Sequence, residues 1–347
     1  MLLMTGACSS SDEEGQESGV DKKPVMLAIY VYAPEQAAAA QKKAAQTRGD
    51  VGKVDANPAA EGEIKSLKIW IYESESGDSV RYFETKDVAA LNQGQGTTYQ
   101  IPVSDDFAKN KPKVDVYVLA NVTHDNCGVG SLDKNTERDE LMTKAKIVKS
   151  KFGLSPLTTE VPTDGLPMAG KLTKQLVVGD APALRVGSLD AVSTVQLTRA
   201  VSKLRFVFAK TTGQPTVRIT SIKINENMIP DVECLFDKPE SAPTITYNTE
   251  AGELLSSPID DINQTADPTD YIYFNQDAQE YENLINTAAS KETPEVTVRG
   301  PIYLRESDKQ LAGTITYTIA GDEQTADFQM QQAGDFSRNH TWIVYAY

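Results

Sequence analysis

Apolar residues along this chain recur mostly at every second position, which is the period of a β-strand with one buried face. In the clearest example, Leu204 and Phe206 lie opposite Lys203 on the predicted strand Val201–Phe208. The same period marks further strands, predicted at Pro24–Tyr32, Ile64–Tyr72, Val114–Ala120, Thr314–Ile319 and Thr341–Tyr347. Turn residues such as Gly, Pro, Asn and Asp separate these segments. The pattern predicts an all-β protein built from β-sandwich domains.

Two short helical insertions are predicted between the strands. One lies near Thr136–Val148, where Thr136 would be the N-cap and Asp139 follows three residues later. The other lies near Asp277–Thr287, where Asp277 would be the N-cap. Both are too short to change the fold class.

One segment, Ala33–Glu63, departs from the pattern because it contains almost no large apolar side chain. A segment of about 30 residues with this composition does not form a core, and we predict a long exposed loop. Arg48 followed by Gly49 near its middle is a favourable site for a trypsin-like protease, since such enzymes cut exposed loops. The alternative sites are Arg81, Arg138 and Lys53, of which Arg81 lies beside a predicted strand and Arg138 in a predicted helix.

The charge of the chain excludes several classes of function. The sequence has 34 Lys and Arg against 49 Asp and Glu, a formal net charge of −15. Nucleic-acid binding needs clustered basic residues and is therefore not expected. The sequence has no glycine-rich phosphate loop, nucleophile elbow, His-Glu-x-x-His motif or cysteine pair at zinc spacing. We predict no enzyme activity, no cofactor, and no catalytic or metal-binding residues.

Some polar and aromatic groups allow two interpretations. The acids between Asp260 and Asp270 could bind calcium, but they lack EF-hand spacing and are better explained as turn residues. Tyr271, Tyr273 and Phe274 could stack on a sugar, but aromatic residues at strand spacing more often form cross-strand pairs. Three basic residues share one strand face and could bind a partner, although a solvated face paired with the many acids of the chain is the better explanation; they are Arg199, Lys203 and Arg205. Whether Cys127 and Cys234 form a disulfide is left open.

The first residues resemble the end of a bacterial lipoprotein signal. A short apolar stretch ends in the small residues Gly6 and Ala7, and Cys8 follows. Small side chains give the signal peptidase access, and the thiol of Cys8 would carry the lipid. Serines and acids come next, so residues 1–23 are interpreted as a signal remnant and an acidic tether. The alternative is an ordinary cytosolic start with a chance cysteine.

Several strings in this order resemble the fimbrillins, the type V pilin subunits of Bacteroidales. They are the lipobox at Cys8, the apolar strand Val25–Tyr32 followed by a loop with Arg48, and the strings Val116–Asn121, Leu166–Gly170, Leu197–Leu204 and Ser337–Trp342. No single string is specific, but together they cover most of the chain.

The resemblance implies two tandem transthyretin-like β-sandwich domains, at residues 24–211 and 212–347, with the strand Arg199–Phe208 closing the first. It also implies an outer-membrane lipoprotein precursor that reaches the cell surface and becomes part of a fimbrium. An arginine-specific protease would cut between Arg48 and Gly49, within the loop at 33–63. The N-terminal segment would then leave, and a strand from another pilus subunit would fill the groove. The displaced strand would present Val25, Leu27, Ile29 and Val31.

The resemblance further suggests a position in the pilus. Shaft-forming members carry a donor extension after the Arg-Asn-His strand, whereas Tyr347 lies only seven residues past His340. We therefore expect a tip or accessory subunit that contacts a host or bacterial surface ligand; a truncated sequence would explain the same observation. The alternative function is a surface lipoprotein that binds glycan or protein without polymerising.

Overall fold

A computed structural model describes most of the chain. The described residues are 25–32, 50–55, 59–86, 96–104, 107, 110, 113–178, 183–186, 194–236, 244–272 and 278–347.

Strands dominate the described residues. Labelled β1 to β21 in chain order, they are Val25–Tyr32, Asp50–Asp55, Leu67–Glu73, Ser79–Thr85, Gly96–Val103, Lys113–Ala120, Lys146–Ile147, Met168–Val178, Ala183–Val186, Thr194–Gln196, Thr198–Arg199, Val201–Phe208, Lys210–Thr211, Val217–Ile224, Glu233–Cys234, Gly252–Glu253, Gln264–Thr265, Thr297–Arg305, Ala312–Ile319, Asp322–Gln329 and His340–Ala346. The all-β prediction is confirmed.

Short helices interrupt the strands. They are α1 (His124–Cys127), α2 (Arg138–Lys144), α3 (Ala278–Ala289) and the 3₁₀ helices Ala59–Gly62 and Pro268–Tyr271. The predicted N-cap of α2 is wrong: Glu137 occupies that position, and the Thr136 hydroxyl instead accepts a hydrogen bond from the Asp133 N–H (3.0 Å). No helix among the described residues has both the length and the apolar character needed to cross a membrane.

The N-terminal half forms a nine-stranded sheet. Its main path is β10-β1-β9-β8-β6-β3-β4, with β5 paired to β1 and β11 paired to β8. Strands β3 and β6 are buried on both faces. Ile69 and Val116 belong to one apolar cluster, while Trp70 and Tyr117 belong to another on the opposite face. Continuous burial of this kind places both strands in the middle of the structure.

The C-terminal half forms a second sandwich. One sheet has the order β18-β12-β21-β2, and the other has the order β16-β14-β19-β20. Phe206, Ile222 and Ile315 belong to the apolar cluster between these sheets. Helix α3 covers the outer face of the first sheet, where Ile285 packs with Val207. Strands β12, β18 and β21 of that sheet therefore have apolar residues covered on both sides.

Strand β12 does not close the first domain, so that expectation was wrong. It pairs antiparallel with β18 and parallel with β21, both from the C-terminal half. The reason is its apolar face, since Leu204, Phe206 and Phe208 fit the core of the second sandwich. The division of the chain at residues 211 and 212 stays a prediction.

The segment 33–63 is not a loop throughout, which corrects a second expectation. Strand β2 pairs antiparallel with β21 from Asp50 opposite Tyr345 to Asp55 opposite His340. The 3₁₀ helix Ala59–Gly62 follows, and its Glu61 is 1% exposed. A ladder is made by backbone groups, so β2 needs no large apolar side chain to join an existing sheet.

Candidate functional site

Strand β1 lies inside the nine-stranded sheet with hydrogen-bonded neighbours on both edges. On one edge it pairs antiparallel with β5 along its whole length, from Val25 opposite Val103 to Tyr32 opposite Gly96. Two parallel strands share the other edge, with β9 beside Met26–Ala28 and β10 beside Tyr30–Tyr32. The strand is therefore an integral part of the sheet.

The inner face of β1 is entirely apolar where its side chains are described. Leu27, Ile29 and Val31 are each 0% exposed and belong to the same cluster as Ile101 and Val195. Burying such side chains contributes about 1.5–3 kcal/mol each, or about 5–9 kcal/mol together. This is comparable with the stability of an entire domain. Removal of β1 would leave an apolar groove that water fills poorly.

Two neighbours of β1 depend on it for their backbone pairing. Among the described residues, β5 and β10 have no ladder other than the one with β1. Loss of β1 would leave N–H and C=O groups unpaired along both edges of the groove. Such groups pair readily with another strand. The space now filled by β1, bounded by β5, β9 and β10, is called the β1 groove below.

The structure describes only some of the predicted processing residues. Leu27, Ile29 and Val31 lie on the buried face of β1, and Val25 lies in its backbone ladder. The lipid site Cys8 and the cleavage pair Arg48 and Gly49 lie outside the described residues, as do Asp277, Tyr273 and Phe274.

The structure describes the competing cleavage residues Arg81 and Arg138 and, after the predicted cut, the residue that begins β2. Asp50, two positions after Arg48, begins β2. Arg81 is exposed in strand β4. Arg138 is the first residue of α2, and its Nη1 donates to the Ser74 carbonyl at 2.8 Å. Arg81 and Arg138 thus both lie in ordered backbone, which a protease binds less readily than a loop.

A buried charge cluster was missed by the sequence analysis. Lys203 Nζ lies 3.0 Å from Glu61 Oε1 and 3.0 Å from Glu282 Oε1. Arg205 Nη1 donates to Glu282 Oε1 at 2.7 Å, and the Tyr303 hydroxyl donates to Glu61 Oε1 at 2.7 Å. The expectation that this basic strand face is solvated was wrong, because α3 and the 3₁₀ helix at 59–62 bring carboxylates onto it. We call these five residues the Glu61–Lys203 cluster.

The cluster attaches the segment after the predicted cut to the C-terminal sandwich. Arg199, 1% exposed, adds a hydrogen bond from its Nε to the Glu61 carbonyl at 2.8 Å. Burial lowers the pKa of the Arg199 guanidinium, and the Glu61 carboxylate opposes that shift. Burial also raises the pKa of Tyr303, and the nearby Glu61 carboxylate raises it further. Charges that are buried in this way are stabilising only as partners of one another.

A second concave region is a cleft of about 650 Å³ between the two halves of the chain, lined by Glu233, Glu306 and Arg338 among others. Arg338 Nε donates to Glu306 Oε1 at 2.9 Å, and its Nη2 lies 3.2 Å from Glu233 Oε1. Burial raises the pKa of the Glu233 carboxyl to about 8, although Arg338 acts in the opposite direction. These three groups all belong to the C-terminal half and bind one another, so the charges at this wall of the cleft are already paired.

The acids near residue 260 have defined local partners. Asp261 Oδ1 accepts hydrogen bonds from Lys210 Nζ (2.6 Å) and from the Val217 N–H (2.9 Å). Asp267 is the N-cap of the 3₁₀ helix Pro268–Tyr271, where it accepts from the Thr269 N–H at 2.9 Å. These contacts are the ones expected of turn and cap residues.

Comparison with protein families gives a match over residues 36–199, which fit the model of the major fimbrial subunit protein, FimA. The resemblance of the chain to the fimbrillins is confirmed. This family match supports a role as a fimbrial subunit at the cell surface. Curated protein sequences give no significant match.

Solved structures of fimbrial and adhesion proteins resemble this chain. A candidate cell adhesion protein from Parabacteroides distasonis aligns with a TM-score of 0.52 at 16% identity, over 93% of this chain and 88% of that one. The tip fimbrial protein Mfa3 from Porphyromonas gingivalis aligns with a TM-score of 0.41 at 12% identity, over 87% and 81%. The anchor protein Mfa2 from the same organism gives 0.37 at 9%, over 87% and 82%. The first of these shares the fold.

Proposed function

We propose that this protein is a fimbrial subunit that exchanges its own strand β1 for a strand of another subunit after proteolysis. The observation that carries the proposal is the position of β1, which is buried along its inner face and paired on both edges. A strand in this position can be replaced only by another strand, because only a strand pairs with both edges at once.

The free energy of the exchange favours assembly once β1 has left. The emptied β1 groove exposes apolar surface worth about 5–9 kcal/mol together with two unpaired edges. A donated strand with alternating apolar residues restores both contributions. Before the cut, β1 occupies the groove and excludes a donor. Proteolysis therefore converts a closed monomer into an acceptor.

The remaining parts of the proposal rest on the sequence. Cys8 is proposed as the lipid attachment site of an outer-membrane precursor, and the bond from Arg48 to Gly49 as the site of an arginine-specific protease. The partners are other pilus subunits that donate a strand, with a host or bacterial surface ligand for an adhesive subunit. A tip or accessory position stays a prediction. We propose no enzymatic role.

Limited proteolysis tests the function directly. An arginine-specific protease should make one early cut, after Arg48, and the N-terminal fragment should then leave when a competing strand peptide is added. Mass spectrometry identifies the cut, and a native gel follows the release. In an Arg48→Lys variant trypsin should still cut, whereas an arginine-specific protease should not.

The opposite results are equally clear. Early cutting at Arg81, or a fragment that stays bound against excess peptide, contradicts the proposal. Either result would favour the alternative of a surface lipoprotein that binds glycan or protein without polymerising.

A further inference from the structure

The outer face of the β1 groove contains a notch at Gly96. Tyr32 lies directly opposite Gly96 in the ladder and Tyr30 lies opposite Thr98, so Tyr30 and Gly96 are diagonal neighbours. Diagonal positions on one face of a strand pair are within reach of an aromatic side chain. The ring of Tyr30 lies over Gly96, where a Cβ atom would fall 2.6 Å from ring atom Cε1 and closer still to Cζ and the hydroxyl oxygen.

The backbone does not explain the glycine at this position. Gly96 has no positive φ, unlike Gly300 (φ 93°) or Gly321 (φ 97°), so another residue could adopt its conformation. A side chain at residue 96 would occupy the space that the Tyr30 ring now fills. The glycine therefore makes a ring-shaped recess beside the strand that occupies the groove.

We propose that this notch selects the incoming strand, so that the partner is a β-strand carrying an aromatic residue at the position of Tyr30. The inference rests on the proposed function and specifies its partner. The donor would carry large aliphatic residues at the three positions of Leu27, Ile29 and Val31, and the aromatic ring on the opposite face.

The two faces contribute differently to recognition. The inner face asks only for alternating aliphatic side chains, which many strands offer. The notch on the outer face fits a flat ring and leaves an empty recess beside a small side chain. It also fixes register, because a shift of one residue would turn the aromatic side chain toward the inner face.

Peptide binding to the protein processed by the arginine-specific protease tests the inference. The probes are peptides with the sequence of residues 25–32 and the same peptide carrying Tyr30→Phe or Tyr30→Ala, each with a fluorophore. Fluorescence polarisation should give a dissociation constant about tenfold weaker for Tyr30→Ala than for Tyr30→Phe, because these two peptides differ in the ring and not in the hydroxyl. Equal binding of all three peptides would overturn the inference.

A variant of the protein locates the effect at the notch. Gly96→Ala should weaken binding of the parent peptide about tenfold and change binding of the Tyr30→Ala peptide little, so the two changes are coupled. Gly130→Ala is the matched control, because this exposed position lies outside the β1 groove and a Cβ atom there would meet nothing within 4 Å; it should bind both peptides as the unchanged protein does. Equal weakening of both peptides by Gly96→Ala would overturn the inference.

The peptide series decides the question even where Gly96→Ala does not fold, because it uses the unchanged protein. A different result identifies a failure of the proposed function. If none of the peptides enters the processed protein, the exchange mechanism is wrong and the selection falls with it. If the peptides bind without regard to Tyr30, the exchange stands and only the selection is wrong.

Discussion

Strands β1 and β12 have the same length, eight residues, and each lies between two neighbours in its sheet, yet different interactions hold them. The described inner face of β1 is held by Leu27, Ile29 and Val31. Strand β12 is buried on both faces, with Phe206 in the apolar core and Lys203 in the Glu61–Lys203 cluster.

The difference is the one expected from the proposed exchange, in which β1 is replaced and β12 stays. Apolar contacts and backbone ladders are generic, and a second sequence with the right alternation can reproduce them. A buried lysine between two carboxylates needs those partners, and a different residue would leave charges unpaired. The strand proposed to leave is therefore held by the interactions that a donor can restore.

Removing the central charge of β12 should have the largest effect. Lys203→Met would remove the one cation that, among the described residues, lies within ion-pair distance of the Glu61 carboxylate, and we expect a loss of about 3–5 kcal/mol in the free energy of unfolding. Urea titration measures the loss. Lys223→Met, at an exposed position of β14, is the matched control and should change stability by less than about 0.5 kcal/mol. Similar values for the two variants would contradict a special role for the cluster.

Truncation of one apolar residue in each strand should distinguish β1 from β12 by whether the loss of stability persists after processing. Ile29→Ala and Leu204→Ala each remove a fully buried side chain and should each cost about 2–5 kcal/mol in the intact chain. After processing and removal of the N-terminal segment, the cost of Ile29→Ala should vanish while that of Leu204→Ala persists. Thermal midpoints of intact and processed protein provide the measurement. A cost of Ile29→Ala that survives processing would mean that β1 never left.

A smaller effect should appear in the pH dependence of stability. Burial raises the pKa of Glu233 from 4.5 to about 8, so the folded protein binds this proton more tightly than the unfolded chain does. The contribution of Glu233 to the free energy of unfolding is therefore present in full below about pH 4.5 and is lost as the pH rises through about 8.

Glu233→Gln should make the unfolding free energy fall less steeply with pH between about 5 and 8 than it does in the unchanged protein. Denaturant midpoints at several pH values measure the slope. Glu226→Gln, at an exposed position, is the control and should keep the original slope. An unchanged slope in Glu233→Gln would show that this carboxyl does not titrate in the window. Release of the N-terminal segment should not follow this pH dependence, because the described inner face of β1 is apolar.

The alternation of apolar residues was sufficient to predict strands such as β1, β6, β12 and β19 near their observed positions. The alternation could not predict β2, because residues such as Asp50, Gly52 and Lys53 give this segment no continuous apolar face. The segment is a strand because its backbone pairs with the edge of β21. Backbone pairing with a distant strand leaves no mark on the local sequence.

The Glu61–Lys203 cluster was missed for a related reason. Lys203 and Arg205 alternate with Leu204 and Phe206, which is also the pattern of a strand with one solvated face. Their burial depends on Glu282, which lies 79 positions after Lys203, and no local pattern indicates that contact. The sequence thus predicted strand β1 and its apolar face, but not the buried ion pairs that hold β12.

The long ladder of β1 also has a mechanical consequence. Its backbone hydrogen bonds extend along all of β5 on one edge and are divided between β9 and β10 on the other edge. A force parallel to such a strand loads all of these hydrogen bonds at the same time. A force perpendicular to the strand would break them one after another. If subunits of a fibre are joined by a strand in the β1 groove, the fibre should withstand a pulling force along the strand far better than a force perpendicular to it.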